Sequence, residues 1–334
     1  MTFLSNKALE RLRGSEAPDL SGTRYTLHEL IARGGMGAVY AAEDEQLSRR
    51  VALKVLGLQD TTGELPSRLV REARILAQLE HPGIVPVHDV GTLPDGRMYY
   101  TMKFVRGLRL DDYIVQLGSL SQRLRLFLRV CDAVAFAHAR GVLHRDLKPA
   151  NIMVGSFGEI LVMDWGLAKV LQEQRVSADP TVHTTSGNAE PKNNATQSTG
   201  ITAHGTVMGT PGYMSPEQAR GETEQIDLRS DIFSLGAVLR FIVVGGAQEK
   251  SSAMPRPLSA ICAKATADSP GARYAGVSEL SADVSLYMDG LPVTAYSENL
   301  LERFGRFYKR HEIAILLITA YLIMRTMIQF FFHR

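Results

Sequence analysis

Apolar positions along this chain change period several times, and each change predicts an element. From Tyr25 to Leu30, Gly37 to Ala42 and Arg50 to Leu56, apolar residues alternate or cluster between glycine and polar turns, which predicts three strands. Residues 67–79 carry Leu69, Ala73, Leu76 and Leu79 at helical spacing, with Ser67 as a cap; His81-Pro82-Gly83 stops that helix. Strands are predicted again at 84–90 and 98–105, a helix from Leu120 to Arg140, and a short buried strand at Ile160–Met163. Residues 224–244 read as an apolar helix, and 257–288 as two helices parted by Asp268-Ser269-Pro270-Gly271. No internal repeat is present.

Two stretches break the pattern. Residues 172–206 hold many Ser, Thr, Asn, Gly and Gln residues and few large apolar ones. Such a stretch buries too little surface to offset its ordering entropy, so a long mobile loop is expected. From Ile313 to Phe332 the chain is apolar with one charge, Arg325. As a helix this run spans about 30 Å and predicts a single membrane crossing. A mid-membrane arginine costs roughly 2.5–3.5 kcal/mol, and a place in the distal half lets its stem snorkel outward. The competing reading is a buried or interfacial helix, because the apolar run ahead of Arg325 is short. Arg303, Arg306, Lys309 and Arg310 precede the run and only Arg334 follows it, a bias that puts the upstream part in the cytoplasm.

Composition narrows the rest. With 334 residues the chain holds one large domain or two ordinary ones, and 45% hydrophobic content supports a real core. A net charge of +2 argues neither for nor against nucleic acid, and no nucleic-acid partner is expected. Cys131 and Cys262 are too few for a disulfide framework or a zinc site and are expected as buried thiols. Residues 1–20 include Lys7, Glu10, Arg11, Arg13, Glu16 and Asp19, so no signal peptide is expected there.

The strongest chemical signal is His144-Arg145-Asp146-Leu147-Lys148-Pro149-Ala150-Asn151, followed by Asp164-Trp165-Gly166. It sets an acid, a cation and two oxygen-bearing cation ligands in one short stretch, which is the set phosphoryl transfer needs. The segment resembles the catalytic loop of protein kinases, and the lysine after HRDL resembles the serine/threonine branch. Under that resemblance Asp146 orients the attacking hydroxyl, Lys148 sets positive charge near the γ-phosphate, and Asn151 and Asp164 offer oxygens to Mg²⁺.

The resemblance runs in order from about residue 25 to 290. Ile31, Ala32, Arg33, Gly34, Gly35, Met36, Gly37, Ala38 and Val39 resemble the glycine-rich loop, with Ala32 in place of its first glycine. Val51-Ala52-Leu53-Lys54 resembles the strand whose lysine holds the α- and β-phosphates, and Glu72 its helix partner. Met102 resembles the gatekeeper, with Lys103, Phe104 and Val105 as the hinge and Val39, Ala52 and Met153 around the adenine. Trp165 stands for the phenylalanine of D-F-G and is expected to stack on Leu76 and His144. Gly209 to Glu217 resembles the end of an activation segment, with Thr210 beside the substrate hydroxyl, Glu217 paired to Arg273, and Asp231 tying the catalytic loop to a buried helix. Between Gly245 and Pro257 the chain is shorter than the family pattern, which bears on substrate docking.

The resemblance therefore implies a membrane-anchored bacterial eukaryotic-like serine/threonine protein kinase. The fold is then α+β: a bilobal kinase fold with a β-rich N-lobe (about 25–105), a helical C-lobe (about 106–290) and an activation segment at 164–217. Residues 1–24 form a leader, 291–311 a basic juxtamembrane linker and 312–332 a transmembrane helix, placing the chain in the inner (cell) membrane. ATP and Mg²⁺ are the implied cofactors. The implied partners are proteins bearing Ser/Thr, membrane lipid through the last helix, and a homodimer for autophosphorylation in trans. Ser198, Thr199, Thr202 and Thr206 are the candidate phosphosites, with Arg145 placed to bind a phosphorylated loop residue. Two other classes stay open. A nucleotide-binding pseudokinase scaffold at the membrane draws on Ala32, Trp165 and the short loop. A small-molecule kinase is opposed by the GTPGYMSPE segment.

Overall fold

The protein is described here from a computed structural model covering residues 17–34, 37–59, 70, 73–165, 212–222, 225–245, 254–297 and 312–332. Strands β1 (Tyr25–Gly34), β2 (Gly37–Asp44), β3 (Arg49–Gln59), β4 (Val87–Thr92) and β5 (Arg97–Lys103) pair antiparallel in the order β1-β2-β3-β5-β4. Side chains alternate across the sheet. One face gathers Tyr25, Tyr40, Ala42, Val51, Leu53, Val55, Leu93 and Tyr99. The other gathers Ala52, Leu56, Val85, Met98, Tyr100, Met102 and Leu161. The β3–β5 register sets Ala52 opposite Met102 and Lys54 opposite Tyr100, so Lys54 shares the second face.

The glycine at the start of β2 has a steric reason. Gly37 has φ 138°, and a Cβ there would lie 2.0 Å from the Val55 carbonyl oxygen. Only glycine lets β2 approach β3 this closely. Past the sheet, Val70 and residues 73–77 are helical and the chain leaves the helix at Gln78, short of the expected Leu79; residues 67–69, 71 and 72 lie outside the described residues. The strand expected at 84–90 begins at Val87, and Ile84 contributes a parallel bridge to Val162.

A second sheet, β6 (Gly107–Arg109), β7 (Ile152–Gly155) and β8 (Ile160–Val162), flanks the helical part. Helices α1 (Leu110–Tyr113), α2 (Leu120–His138), α3 (Pro216–Ala219), α4 (Leu228–Val244), α5 (Arg256–Ala265) and α6 (Val277–Met288) follow. Their boundaries obey local chemistry. Ser119 caps α2 by accepting from the Gln122 N–H, Asp227 caps α4, and Gly245 ends α4 in the left-handed conformation at φ 84°. The inward faces of α2, α4, α5 and α6 build one core around Phe127, Val134, Leu235, Leu239, Ile261 and Leu280.

That core runs past residue 290, where the linker was expected. Asp283 accepts from the Tyr274 hydroxyl and from the backbone N–H groups of Thr294 and Ala295, and Val293 is buried. Cys131 and Cys262 are free and buried, as composition implied.

The last element, α7 (Glu312–Phe332), forms where the apolar pattern placed it. Ile313 and the large apolar side chains from Leu316 to Ile328 stand about half or more exposed, while Ile315 is half-buried. Among the described residues, no helix is long and apolar enough to cross a membrane. The transmembrane span expected at 312–332 is therefore not found among the described residues.

Candidate active site

The loop between α2 and β7 is held from beneath by one buried carboxylate. Asp231, on α4, accepts from the backbone N–H groups of His144 and Arg145, each at 2.8 Å, and bonds His138 Nε2 at 2.8 Å. Burial alone raises its pKa, but the His138 bond and the nearby His138 and His144 rings, with the His144 N–H, hold it below the usual carboxylate range. Arg145 adopts φ 62°, a conformation that costs a non-glycine residue roughly 1–2 kcal/mol. Its N–H on Asp231 and its carbonyl, which accepts from Gln218 Nε2 at 3.0 Å, keep it there. His138 Nδ1 is the one described side-chain atom that is buried without a hydrogen-bond partner, a cost of roughly 1–3 kcal/mol.

On this platform Asp146 faces a cation and an amide. Lys148 Nζ donates to Asp146 Oδ2 at 3.0 Å. Asn151 Nδ2 donates to the Asp146 carbonyl at 2.7 Å and to Oδ2 at 3.2 Å. The Pro149–Asn151 turn puts buried Asn151 beneath Asp146, and its carbonyl accepts from the Met163 N–H at 2.8 Å. The 144–151 loop and the strand end that carries Asp164 are therefore one hydrogen-bonded unit.

His144 is fully buried, and burial lowers its pKa, which keeps the ring neutral. The neutral ring then donates from Nε2 to the Met163 carbonyl at 2.8 Å and accepts the Asp146 N–H at Nδ1 at 3.3 Å. Trp165 packs against it with ring centroids 4.8 Å apart and the planes tilted by 47°, and Leu76 lines the same cavity as Trp165.

Asp164 has φ 57°, a left-handed conformation that aspartate tolerates better than most residues. Its Oδ1 accepts from Lys54 Nζ at 2.6 Å and from the Tyr100 hydroxyl at 3.4 Å. Burial alone pulls the Lys54 ammonium down, but Tyr100 and the Asp164 carboxylate leave it above its ordinary value. Lys54 is thus a buried, charged cation at the sheet's second face. The apolar cluster there includes Ala52 and Met102, with Val39, Phe104 and Val105 packed against it. Met153 is half-buried on β7 opposite Leu161, which belongs to that cluster. Ile31, Ala32, Arg33 and Gly34 are exposed at the end of β1, and Ala38 follows on β2.

Asn151 and Asp164 suit a hard cation that keeps part of its own water and takes the rest of its oxygens from phosphate. Among the described residues, no group of three His, Cys, Asp or Glu side chains forms a site that could hold a metal alone. Farther down, Glu217 and Arg273 meet as expected, at 2.7 and 2.8 Å, both buried. Glu72, Gly35, Met36, the four candidate phosphosites and residues 209–211 lie outside the described residues. Two participants had not been singled out by sequence reasoning, Tyr100 and His138. For Tyr100 the sequence offered half a signal, since a phenol in a core strand needs a polar partner; the register supplies Lys54 as that partner.

Comparison with known proteins agrees with this geometry. Residues 25–254 match the family described as the protein kinase domain. The chain is 36% identical to a probable serine/threonine-protein kinase PknB of Bifidobacterium longum, a match covering 83% of this chain and 41% of that protein. It is 34% identical to the serine/threonine-protein kinase PknD of Chlamydia felis, covering 80% of this chain and 31% of that protein. The chain thus spans less than half the length of these relatives. Among solved structures it is similar to the Mycobacterium tuberculosis PknI kinase domain, with a TM-score of 0.56 and 24% identity over 81% of this chain and 98% of that one.

Proposed function

The chain belongs to the protein kinase domain family, and from that premise we propose that it transfers the γ-phosphate of ATP to Ser/Thr hydroxyls of proteins. The observation that carries this reading is the pairing of two constellations: Asp146 held by Lys148 and Asn151, and Asp164 held by Lys54. In the reaction the acceptor oxygen forms a bond to the γ-phosphorus while the bond to the ADP oxygen breaks, and the hydroxyl proton passes to Asp146 and then to solvent. Asp146 acts mainly by orienting the hydroxyl, because a loose transition state needs little proton removal early. Lys148 faces the charge that develops on the moving group, and Lys54 holds the α- and β-phosphates. Mg²⁺, when bound through Asn151 and Asp164, supplies neutralising charge for the phosphates. The glycine-rich loop residues Ile31 to Val39 cover the phosphates, while Ala52, Met102, Phe104, Val105 and Met153 surround the adenine.

The test is transfer of label from γ-labelled ATP with Mg²⁺ to a protein acceptor, followed by phosphoamino-acid analysis. Labelled phosphoserine or phosphothreonine is expected from the wild type. Bound ATP without transfer would favour the scaffold reading instead.

Two finer features belong to the same proposal. The exposed apolar face of α7 attaches the chain to membrane lipid. Co-flotation with lipid vesicles that survives removal of residues 312–334 would refute that. Autophosphorylation in trans on Ser198, Thr199, Thr202 or Thr206 regulates the kinase, a reading supported by their closeness in sequence to the GTPGYMSPE segment. Phosphopeptide mapping after incubation with ATP and Mg²⁺ tests it, and no phosphate between 172 and 210 would end it.

A further inference from the structure

The kinase motif requires Asp164 to aim at the nucleotide, and two aromatic residues outside the motif's usual chemistry touch its position. Tyr100 is 4% exposed and sits on β5 directly opposite Lys54. Its hydroxyl reaches Asp164 Oδ1, the same oxygen that takes the Lys54 ammonium. Its ring lies beneath that ammonium, with Nζ 5.9 Å from the centroid. On the other side Trp165 is 5% exposed and donates its indole N–H to the Val162 carbonyl at 3.2 Å. A phenylalanine in that slot has no donor to offer. The receiving carbonyl is itself fixed: Val162 also accepts from the Val85 N–H at 3.1 Å and donates its own N–H to the Gly83 carbonyl at 2.8 Å. Trp165 is thereby tied to the 83–85 segment that leads into β4.

We propose that Tyr100 and Trp165 are positioning residues that clamp Asp164 inward before nucleotide arrives. Tyr100 holds the carboxylate through its side chain, and Trp165 holds the backbone through the next residue. A phosphate-free Asp164 next to Lys54 would otherwise depend on one ion pair alone, with 32% of its side chain still open to solvent. This inference rests on the kinase reading for its purpose, but its physical content concerns the nucleotide-free protein. The two tethers differ in weight. At 3.4 Å the phenol bond is long, so its loss costs about two- to threefold in binding; the buried indole bond is worth about two- to tenfold.

Trp165 is the single tryptophan of the chain, so its fluorescence reports this site without labelling. The experiment compares the wild type with Tyr100→Phe and Trp165→Phe, both of which keep an aromatic ring in place. Without nucleotide or metal, acrylamide quenching of Trp165 is expected to rise in Tyr100→Phe. In steady-state kinetics, KM for ATP with Mg²⁺ rises in both variants, more in Trp165→Phe, while kcat changes much less, because the bound cation and nucleotide then hold Asp164. Unchanged quenching in Tyr100→Phe, or unchanged KM in both variants, overturns the assignment. So does a fall in kcat at constant KM, which would put these groups in the transition state. A wild type that transfers no phosphate fails the kinase reading, while the quenching comparison still decides the clamp.

Discussion

Replacing Arg273 tests how the end of the activation segment is anchored. Its guanidinium forms two parallel bonds to Glu217 and also donates to the carbonyls of Ala267, Arg229 and Asp268. Both side chains are at most 1% exposed. Removing one partner of such a pair leaves a buried charge and costs about 3–5 kcal/mol. At roughly 2–4 °C per kcal/mol for a large domain, Arg273→Met should lower Tm by roughly 6–20 °C. A second route gives a similar size. Burial alone raises the Glu217 pKa, yet the Arg273 and Ser230 bonds hold it at about 2, against an ordinary 4.5. A depression of that size corresponds to about 3 kcal/mol of stability. Because the folded pKa is lowered, this contribution is present above the ordinary value and is lost as pH falls from there toward about 2. Calorimetry of wild type, Glu217→Gln, Arg273→Met and the double variant measures it. Glu217→Gln should cost less than Arg273→Met, since Arg273 keeps its three carbonyl partners. The double variant should lose less than the sum, and acid sensitivity should flatten in Glu217→Gln. Two single variants with Tm near wild type, or strict additivity, would refute the reasoning.

Other expectations follow from single contacts. Asp231→Asn presents one acceptor where three donors converge, so catalytic-loop order should suffer: kcat falls at least about tenfold and Tm drops, by calorimetry, as one buried donor loses its acceptor. Gly37→Ala forces a Cβ against the Val55 carbonyl and should destabilise the β2–β3 pairing, read as a lower Tm and a raised KM for ATP. Lys54→Met leaves Asp164 without its ammonium partner; label transfer should be lost while the fold, by circular dichroism, persists.

Most of the site was legible because its chemistry is compressed into short segments. HRDLKPAN contains Asp146, Lys148 and Asn151 within one loop, and the structure shows them bonded to each other. The N-lobe strands were legible because alternation from Tyr25 to Leu56 is bounded by Gly34, Gly37 and polar turns. The short strands β6 and β7 were not: three- and four-residue strands carry too little alternation to be told from loop. The anchoring of Thr294 and Ala295 on Asp283 was also invisible, since one buried carboxylate paired across a turn leaves no periodic trace. Tyr100 was hidden for a related reason. Its pattern position reads as core, and only the register opposite Lys54 gives its hydroxyl a role. For α7 the pattern located the helix at 312–332, while no membrane span is found among the described residues.

The central claim is that Asp146 directs a hydroxyl onto the γ-phosphate of ATP. The most direct measurement is the rate of label transfer from γ-labelled ATP by the wild type and by Asp146→Asn, which keeps the shape and removes the carboxylate. The account predicts label on Ser/Thr from the wild type and a loss of at least about a hundredfold in the variant. Equal labelling by the two proteins would contradict it.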